Sequence, residues 1–151
     1  AAARVVEGAK TVRPMTAAAG GLIALQAPIN STLGKATGSL PAALISFAIG
    51  TIALAAIVLL AGQGSGVGSL GDVGPIYLIG GLLGAVYVTT ALIAVKAVGA
   101  GGVAAATITG QLTASVALDR LGAFGLDTEP LTVDKVAGVA LLLAGTFLIV
   151  R

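Results

Sequence analysis

The chain has 151 residues, of which 57% are hydrophobic and 9% charged, and its formal net charge is +2. Soluble domains carry about 25% charged residues, and a small domain leaves much of its surface in water, so this composition argues against a soluble protein. The small net charge and the scattered basic residues give no indication of nucleic-acid binding. Zero Cys and zero His remove disulfides, thiol chemistry and the common zinc sites, so we expect no metal and no cofactor.

The first 15 residues are more polar than those that follow, and they end at Met15. A basic stretch before an apolar one is typical of a signal peptide, but Gln26 and Pro28 interrupt the small-residue pattern of a cleavage site. We interpret residues 1–15 as an N-terminal extension, with Met15 close to a natural start. The remaining chain, 16–151, is predicted to be a single transmembrane domain.

Five apolar stretches, each nearly free of charge, follow in chain order. At 1.5 Å rise per residue, each can cross a hydrocarbon core about 30 Å thick. The connections are short and make neighbouring helices antiparallel. They include a Gly/Ser-rich loop at 62–73, a tight turn at 96–99 and the longest and most polar loop at 119–133. The sequence therefore predicts an all-α integral membrane protein with five transmembrane helices and with its two ends on opposite sides of the bilayer. The predicted spans are about 16–33, 41–61, 74–95, 100–118 and 134–150.

Lys and Arg are divided almost evenly between the two predicted sides of the membrane. Without the extension the count is two against three, and with the extension it is five against three, which leans weakly to an inside N-terminus. Two interpretations stay open, a single orientation and a dual topology in which copies insert both ways and pair antiparallel. The basic residues outside the extension are Arg120 and Lys135 on the N-terminal side, and Lys35, Lys96 and Arg151 on the other.

The first span contains two amide side chains on one helix face, Gln26 and Asn30, with Pro28 between them. Proline lacks an N–H, and its ring crowds the preceding turn, so the helix should kink or break there. Freed carbonyls beside two amides are typical of a midplane substrate site. Alternatively, both amides form hydrogen bonds between helices, which stabilise packing by about 1 kcal/mol each.

The fourth span contains a polar stripe at four-residue steps, from Thr107 through Gln111 and Ser115 to Asp119. The first three are candidate substrate-binding residues, whereas Asp119 is better explained as an interfacial charge. Tyr87 in the third span is a further candidate, because its hydroxyl and ring are deep enough to face a cavity. The alternatives are plain packing for Tyr87 and, for Ser and Thr, bonds to carbonyls of their own helix.

No Asp, Glu, Lys or Arg falls near the centre of a predicted span. Intramembrane carboxylates mark proton and cation pathways, so their absence argues against a carboxylate-centred cation antiporter. Three possibilities remain: a transporter of a neutral or zwitterionic solute, a facilitator without ion coupling, or a transporter that couples to an ion through amide and backbone oxygens.

Two pairs of glycines fit close helix packing. Gly80 and Gly84 form a Gly-x-x-x-Gly pair in the third span, which is typical of closely approaching helices. Gly138 and Gly145 lie seven residues apart in the fifth span, so they share one face and leave a smooth groove of small residues. We predict packing or dimer contacts at all four.

Several blocks of the sequence together resemble the YdcZ-type family of five-span proteins in the drug/metabolite transporter superfamily. The resemblance covers nearly everything after Met15. It implies a bacterial inner-membrane protein and a ten-helix unit built from two inverted five-helix halves, which are identical chains, different chains or a fusion. The blocks are LQAPINSTLG (25–34), ALISFAIGT (43–51), GGLLGAVYVT (80–89), GQLTASVALDRLGAFGL (110–126) and DKVAGVALLLAGTFLI (134–149).

The spacing of Gly138 and Gly145 also resembles the dimerisation motif in the last helix of small multidrug resistance transporters, which implies a dimer seam at the fifth span. Those relatives bind protons and cationic drugs with a Glu in their first span. This chain has Gln26 and Asn30 there instead, so the resemblance does not imply drug-cation antiport.

Together these features predict a transporter of a small solute that works by alternating access as an antiparallel homodimer. The expected partners are the lipid bilayer, the solute and a second copy of the chain. Two alternatives are half of a heterodimeric transporter and a non-transporting subunit of a larger membrane complex. A membrane enzyme acting on lipid is disfavoured, because the chain has no His, no Cys and no buried carboxylate for acid–base or nucleophilic chemistry.

Overall fold

The computed structural model describes residues 2–151, with side chains from Val12 onward. The described residues are helical or lie in turns and loops, without a strand, so the predicted all-α class is confirmed. Three 3₁₀ helices, Ser69–Asp72, Pro75–Ile79 and Ala123–Gly125, supplement the α-helices. The α-helices are α1 (Ala2–Thr37), α2 (Ser39–Leu60), α3 (Ser65–Gly68), α4 (Gly80–Leu121) and α5 (Val133–Val150).

Three helical segments in the described part are long and apolar enough to cross a membrane. They are Ser39–Leu60, Pro75–Leu121 and Val133–Val150, with mean hydropathies of 2.6, 2.1 and 2.0. The 47-residue segment is interrupted at Gly99, whose φ of 71° and ψ of 171° are not helical. These segments confirm a membrane protein, while the count of five spans and the ten-helix assembly stay predictions.

α1 extends further toward the N-terminus than the predicted first span, because its helical backbone begins at Ala2 rather than near residue 16. The predicted extension has four charged residues. The side chains of three of them, Arg4, Glu7 and Lys10, precede Val12 and are therefore outside the described part. The boundary between extension and domain therefore stays a prediction.

The chain divides into two compact units, Ala1–Lys96 and Ala97–Arg151. In the first unit, Gly38 separates α1 from α2 with a φ of 92°, a left-handed conformation that favours glycine. Its N–H donates to the Gly34 carbonyl at 3.0 Å, and its own carbonyl accepts from Ala42 at 3.0 Å. Because one residue makes the connection, α1 and α2 pack against each other directly.

The core of the first unit consists of Ala43, Val88 and Leu92, of which Leu92 is fully buried. Phe47 and Tyr87 are half-buried and pack against this core. α1 joins it through Gly34, where an added Cβ would lie 3.6 Å from Leu92 Cδ1 and 3.7 Å from Ala42 Cβ. Small residues thus bring three helical segments close together, as expected where lipid supplies no hydrophobic drive between helices.

The second unit contains α4 from residue 97 onward, a loop and α5. α4 ends at Leu121 and is followed by Gly122, which has a φ of 61° and at which an added Cβ would lie 2.7 Å from Thr128 Oγ1. The loop folds back onto the helix end, because the Glu129 N–H donates to the Asp119 carbonyl at 2.9 Å. Thr132 caps α5 by accepting from the Lys135 N–H at 3.3 Å.

Two predicted loops are more ordered than the sequence indicated. The Gly/Ser-rich stretch 62–73 contains α3 and a 3₁₀ helix rather than an irregular loop. α4 continues to Leu121, so Asp119 and Arg120 belong to its last turn and not to the predicted loop at 119–133. Short helical turns of this kind satisfy backbone groups locally, whatever the composition of the stretch.

Candidate functional site

A groove of about 450 Å³ in the first unit brings two of the predicted substrate-binding residues together. Gln26 and Asn30, one helical turn apart on α1, line it with Ser46 of α2. The remaining lining is apolar and comes from Leu22, Ile23, Leu25 and Ile29. The groove therefore combines a few hydrogen-bonding groups with a hydrophobic wall, as expected of small-molecule sites.

Asn30 is the most unusual side chain in this groove. It is only 5% exposed, and its Nδ2 is enclosed without a hydrogen-bond partner among the described residues. Leaving a buried donor unpaired costs about 1–3 kcal/mol. Gln26, by contrast, is exposed. The first unit thus contains a donor that only a change in its surroundings or in its own rotamer can satisfy.

α1 is continuous through Pro28, where we expected a kink or a break. Residues on both sides belong to one helix, so Pro28 does not divide α1 in two, and a bend within the helix stays a prediction. The Thr32 hydroxyl donates to the Pro28 carbonyl at 3.0 Å. This is the ordinary bond of a threonine to the carbonyl four residues earlier, whereas the carbonyl that Pro28 leaves without its helical donor is that of Ala24.

Tyr87 lies in the same unit as Gln26 and Asn30, but its half-buried ring packs against Ala43, Val88 and Leu92. Its neighbour Thr89 donates to the Ala85 carbonyl of its own helix at 2.8 Å. Packing therefore accounts for the Tyr87 ring, and local bonding accounts for the Thr89 hydroxyl.

The predicted polar stripe of α4 lies in the second unit. Thr107 is half-buried, whereas Gln111 and Ser115 are exposed within this chain. Asp119 is half-buried in the last turn of α4 beside Arg120. The stripe is thus present on one helix, without a described protein partner for Gln111 or Ser115.

Sequence reasoning missed the polar contact that joins α4 to α5. The Thr109 hydroxyl lies 2.5 Å from the Thr146 hydroxyl and 3.4 Å from the Leu142 carbonyl. Thr146 lies 3.1 Å from the Ala105 carbonyl. Each hydroxyl has one proton, so either Thr109 donates to Thr146 and Thr146 to Ala105, or Thr146 donates to Thr109 and Thr109 to Leu142. The signal in the sequence was the seven-residue step from Gly102 to Thr109, which puts both on one face of α4.

The four predicted packing glycines have different surroundings. An added Cβ on Gly84 would lie 3.3 Å from Phe47 Cζ, so α4 approaches α2 closely there. At Gly80, Gly138 and Gly145 an added Cβ would meet nothing within 4 Å. The packing or dimer roles of these three stay predictions, and each has open space next to it in a single chain.

No ionisable side chain lines the groove of the first unit. Lys135 in the first turn of α5 places its Nζ 2.5 Å from Oε2 of Glu129, which lies in the preceding loop. The hydrogen bond and the charge of Lys135 hold the pKa of Glu129 below its ordinary value of 4.5. Within the described part, no cluster of His, Cys, Asp or Glu could hold a metal ion.

A comparison with models of known protein families assigns the chain to a family. Residues 12–148 match the model of a family described as "Putative inner membrane exporter, YdcZ". No match was found among curated proteins or among solved structures. The family match spans nearly all of the chain, including the groove, the α4–α5 contact and the three membrane-capable segments. The chain therefore belongs to the YdcZ family of inner-membrane exporters, and it is a multi-pass membrane transporter.

Proposed function

We propose that this transporter carries a small neutral or zwitterionic solute by alternating access, and that the solute binds in the groove lined by Gln26 and Asn30. One observation carries the proposal: the enclosed Asn30 Nδ2 has no partner, although the residue lines an open groove. A solute acceptor would supply the missing bond once the amide rotates or its neighbours move. Transport requires such a difference between conformations.

The chemistry of the groove supports this class of solute. Gln26, Asn30 and Ser46 offer donors and acceptors without a charge. A cation would lose its hydration shell in such a groove without gaining a carboxylate partner. A neutral or zwitterionic solute can be bound by these groups and by the apolar wall.

The remaining predicted residues belong to the same proposal. Tyr87, Thr107, Gln111 and Ser115 would line the central cavity of the assembled transporter. Gln111 and Ser115 support it best, because they are exposed polar groups within a segment apolar enough to cross the membrane. Polar side chains facing lipid would be unfavourable, so a cavity or a partner chain should cover them.

We further propose that two copies pair antiparallel through α5. Gly138 and Gly145 lie on one face of this helix, and both have open space above them. The nearly equal division of Lys and Arg allows insertion in both orientations. Two inverted five-helix copies would form the repeat on which many transporters are built.

Cysteine labelling tests the topology, since the chain has no Cys of its own. Ser69→Cys in the connection after α2 and Thr37→Cys at the end of α1 report on opposite predicted sides. Cells are labelled with a membrane-impermeant maleimide before and after permeabilisation. Dual topology predicts about half labelling from outside at both positions. Complementary labelling, with one position fully outside and the other fully inside, would rule out the homodimer and point to an oppositely inserted, different half.

Profiling of solutes released into the medium tests the substrate groove. Cells expressing the wild-type chain should accumulate at least one small solute outside, and Gln26→Ala and Gln111→Ala should reduce it. Gln63→Ala is the matched control, because Gln63 is an exposed glutamine in the connection after α2. If both variants released the same solutes as the wild type, the assignment of Gln26 and Gln111 as substrate-binding residues would be wrong.

A further inference from the structure

A second groove, of about 420 Å³, lies between the C-terminal end of α4 and the start of α5. Its wall is almost entirely apolar, and the one charged lining residue is Arg120, in the last turn of α4. The groove belongs wholly to the second unit and shares no residue with the groove of Gln26 and Asn30. Its lining residues are Thr113, Val116, Ala117, Arg120, Leu121, Leu131, Val136 and Val139.

The groove runs from the membrane interface into the bilayer. The charged residues of the loop have to lie in or near water, because charges are unfavourable in hydrocarbon. Arg120 and Leu131 are next to this loop, whereas Thr113 lies two turns deeper on α4, about 10 Å away along the helix. The Thr113 hydroxyl donates to the Thr109 carbonyl at 2.7 Å, so the deep end presents no free donor. The groove therefore fits an apolar chain with a polar group at its interfacial end.

Charge decides which amphiphile fits. Arg120 offers a planar fork of donors that suits a phosphate, and it forms no ion pair within the described part. The other cation of this region, Lys135, is already bound to Glu129. Three carboxylates of this region have no ion pair within the described part, and they would repel a lipid with a net negative charge. They are Asp119 next to Arg120, Asp127 in the loop and Asp134 at the start of α5.

We propose that this groove binds one acyl chain of a phospholipid with a primary-amine headgroup, such as phosphatidylethanolamine. The phosphate pairs with Arg120, and the ammonium group donates to a carboxylate that is close to the groove along the chain, either Asp119 next to Arg120 or Asp134 shortly before the lining residue Val136. A quaternary ammonium headgroup has no N–H to donate, and an anionic headgroup has no positive group to offset the carboxylates. The headgroup therefore determines which lipid binds, while the apolar wall of the groove contacts the acyl chain.

Native mass spectrometry of the purified full chain tests the proposal with three lipids of identical acyl chains. These are phosphatidylethanolamine, phosphatidylcholine and phosphatidylglycerol. We expect the phosphatidylethanolamine adduct to dominate, and Arg120→Gln to weaken it about fivefold, since a cation near a lipid phosphate contributes about 1 kcal/mol. Lys35→Gln is the matched control, because Lys35 is an exposed cation in the last turn of α1, away from this groove; we expect it to bind like the wild type.

A second variant keeps the test decisive if Arg120→Gln folds poorly. Val139→Phe fills the deep end of the groove while keeping Arg120, and we expect it to lose the same adduct. Equal binding of the three lipids, preference for phosphatidylglycerol, or unchanged binding by Arg120→Gln and Val139→Phe would overturn the proposal. Export by the variants is measured separately, so the lipid site and the solute groove can fail independently.

Discussion

The two units of the chain differ in whether their buried polar groups have hydrogen-bond partners. In the second unit, the Thr109 and Thr146 hydroxyls bond to each other, and Thr146 also reaches the Ala105 carbonyl. In the first unit, Asn30 is as buried as Thr109, at 5% exposure each, but its Nδ2 has no partner. One polar site is complete within a single chain, and the other is not.

This difference separates structural polar groups from functional ones. A satisfied pair of hydroxyls fixes one arrangement of two helices, because breaking it would leave donors unpaired in hydrocarbon. An unpaired donor favours any conformation or ligand that supplies an acceptor, so it promotes change. This contrast supports the proposal that the solute binds in the groove of the first unit, and that the α4–α5 contact holds two helices in one arrangement.

Asn30→Leu should have the largest effect on function and an opposite effect on stability. Removing an unpaired buried amide costs no hydrogen bond, so unfolding in detergent should occur at the same temperature or higher. Export of the solute should be lost, because the groove loses its enclosed donor. Ser31→Ala, at a neighbouring buried position, controls for a general loss of polarity and should keep export. An Asn30→Leu protein that exports normally would contradict the functional role.

Two glycines offer a comparison between internal packing and an open face. Gly84→Leu should destabilise the fold by about 1–3 kcal/mol, because its side chain would overlap the Phe47 ring. Gly145→Leu should leave unfolding unchanged or slightly improved, since leucine favours helix more than glycine does. We expect only Gly145→Leu to weaken dimer formation, which chemical crosslinking in membranes measures. A Gly145→Leu chain that still dimerises would move the seam away from this face of α5.

The hydroxyl pair should contribute about 1 kcal/mol, in the range measured for hydrogen bonds between membrane helices. Thr146→Val keeps the shape of the side chain but leaves the Thr109 hydroxyl with only the distant Leu142 carbonyl. In a double-mutant cycle, Thr109→Val with Thr146→Val should be less destabilised than the sum of the single variants. The cycle follows unfolding by circular dichroism, and strict additivity would show that the two hydroxyls act separately.

Parts of the fold and the site were predictable because they depend on local chemistry. Low charge and long apolar stretches predict membrane helices, and Gly99 lies in the tight turn predicted at 96–99. Four-residue spacing on α1 brings Gln26 and Asn30 to one groove. These features follow from composition and from the geometry of a single helix.

Other features depend on contacts between elements, which spacing along one helix does not show. Ser46 reaches the groove only because α2 packs on α1 at this level, and Thr109 gains its role from Thr146 on α5. At Pro28 the general rule for proline did not produce a break, and α1 continues through it to Thr37. The sequence indicates which residues are polar, but their partners decide what they do.

The smallest expected effect concerns the ion pair between Glu129 and Lys135, which is the second unit's exposed counterpart to its buried hydroxyl pair. Because Lys135 lowers the pKa of Glu129 below 4.5, the pair stabilises the fold above that pH and is lost as pH falls through the lowered pKa. Glu129→Gln should therefore unfold slightly earlier than the wild type at pH 7 and low salt. The difference should vanish in high salt, which screens exposed charges, and at a pH well below 4.5. Asp127→Asn is the control, because Asp127 lies in the same loop without an ion-pair partner among the described residues, and it should not show this pattern. A difference for Glu129→Gln that persists at low pH would mean that the Glu129 carboxylate acts through a contact other than Lys135.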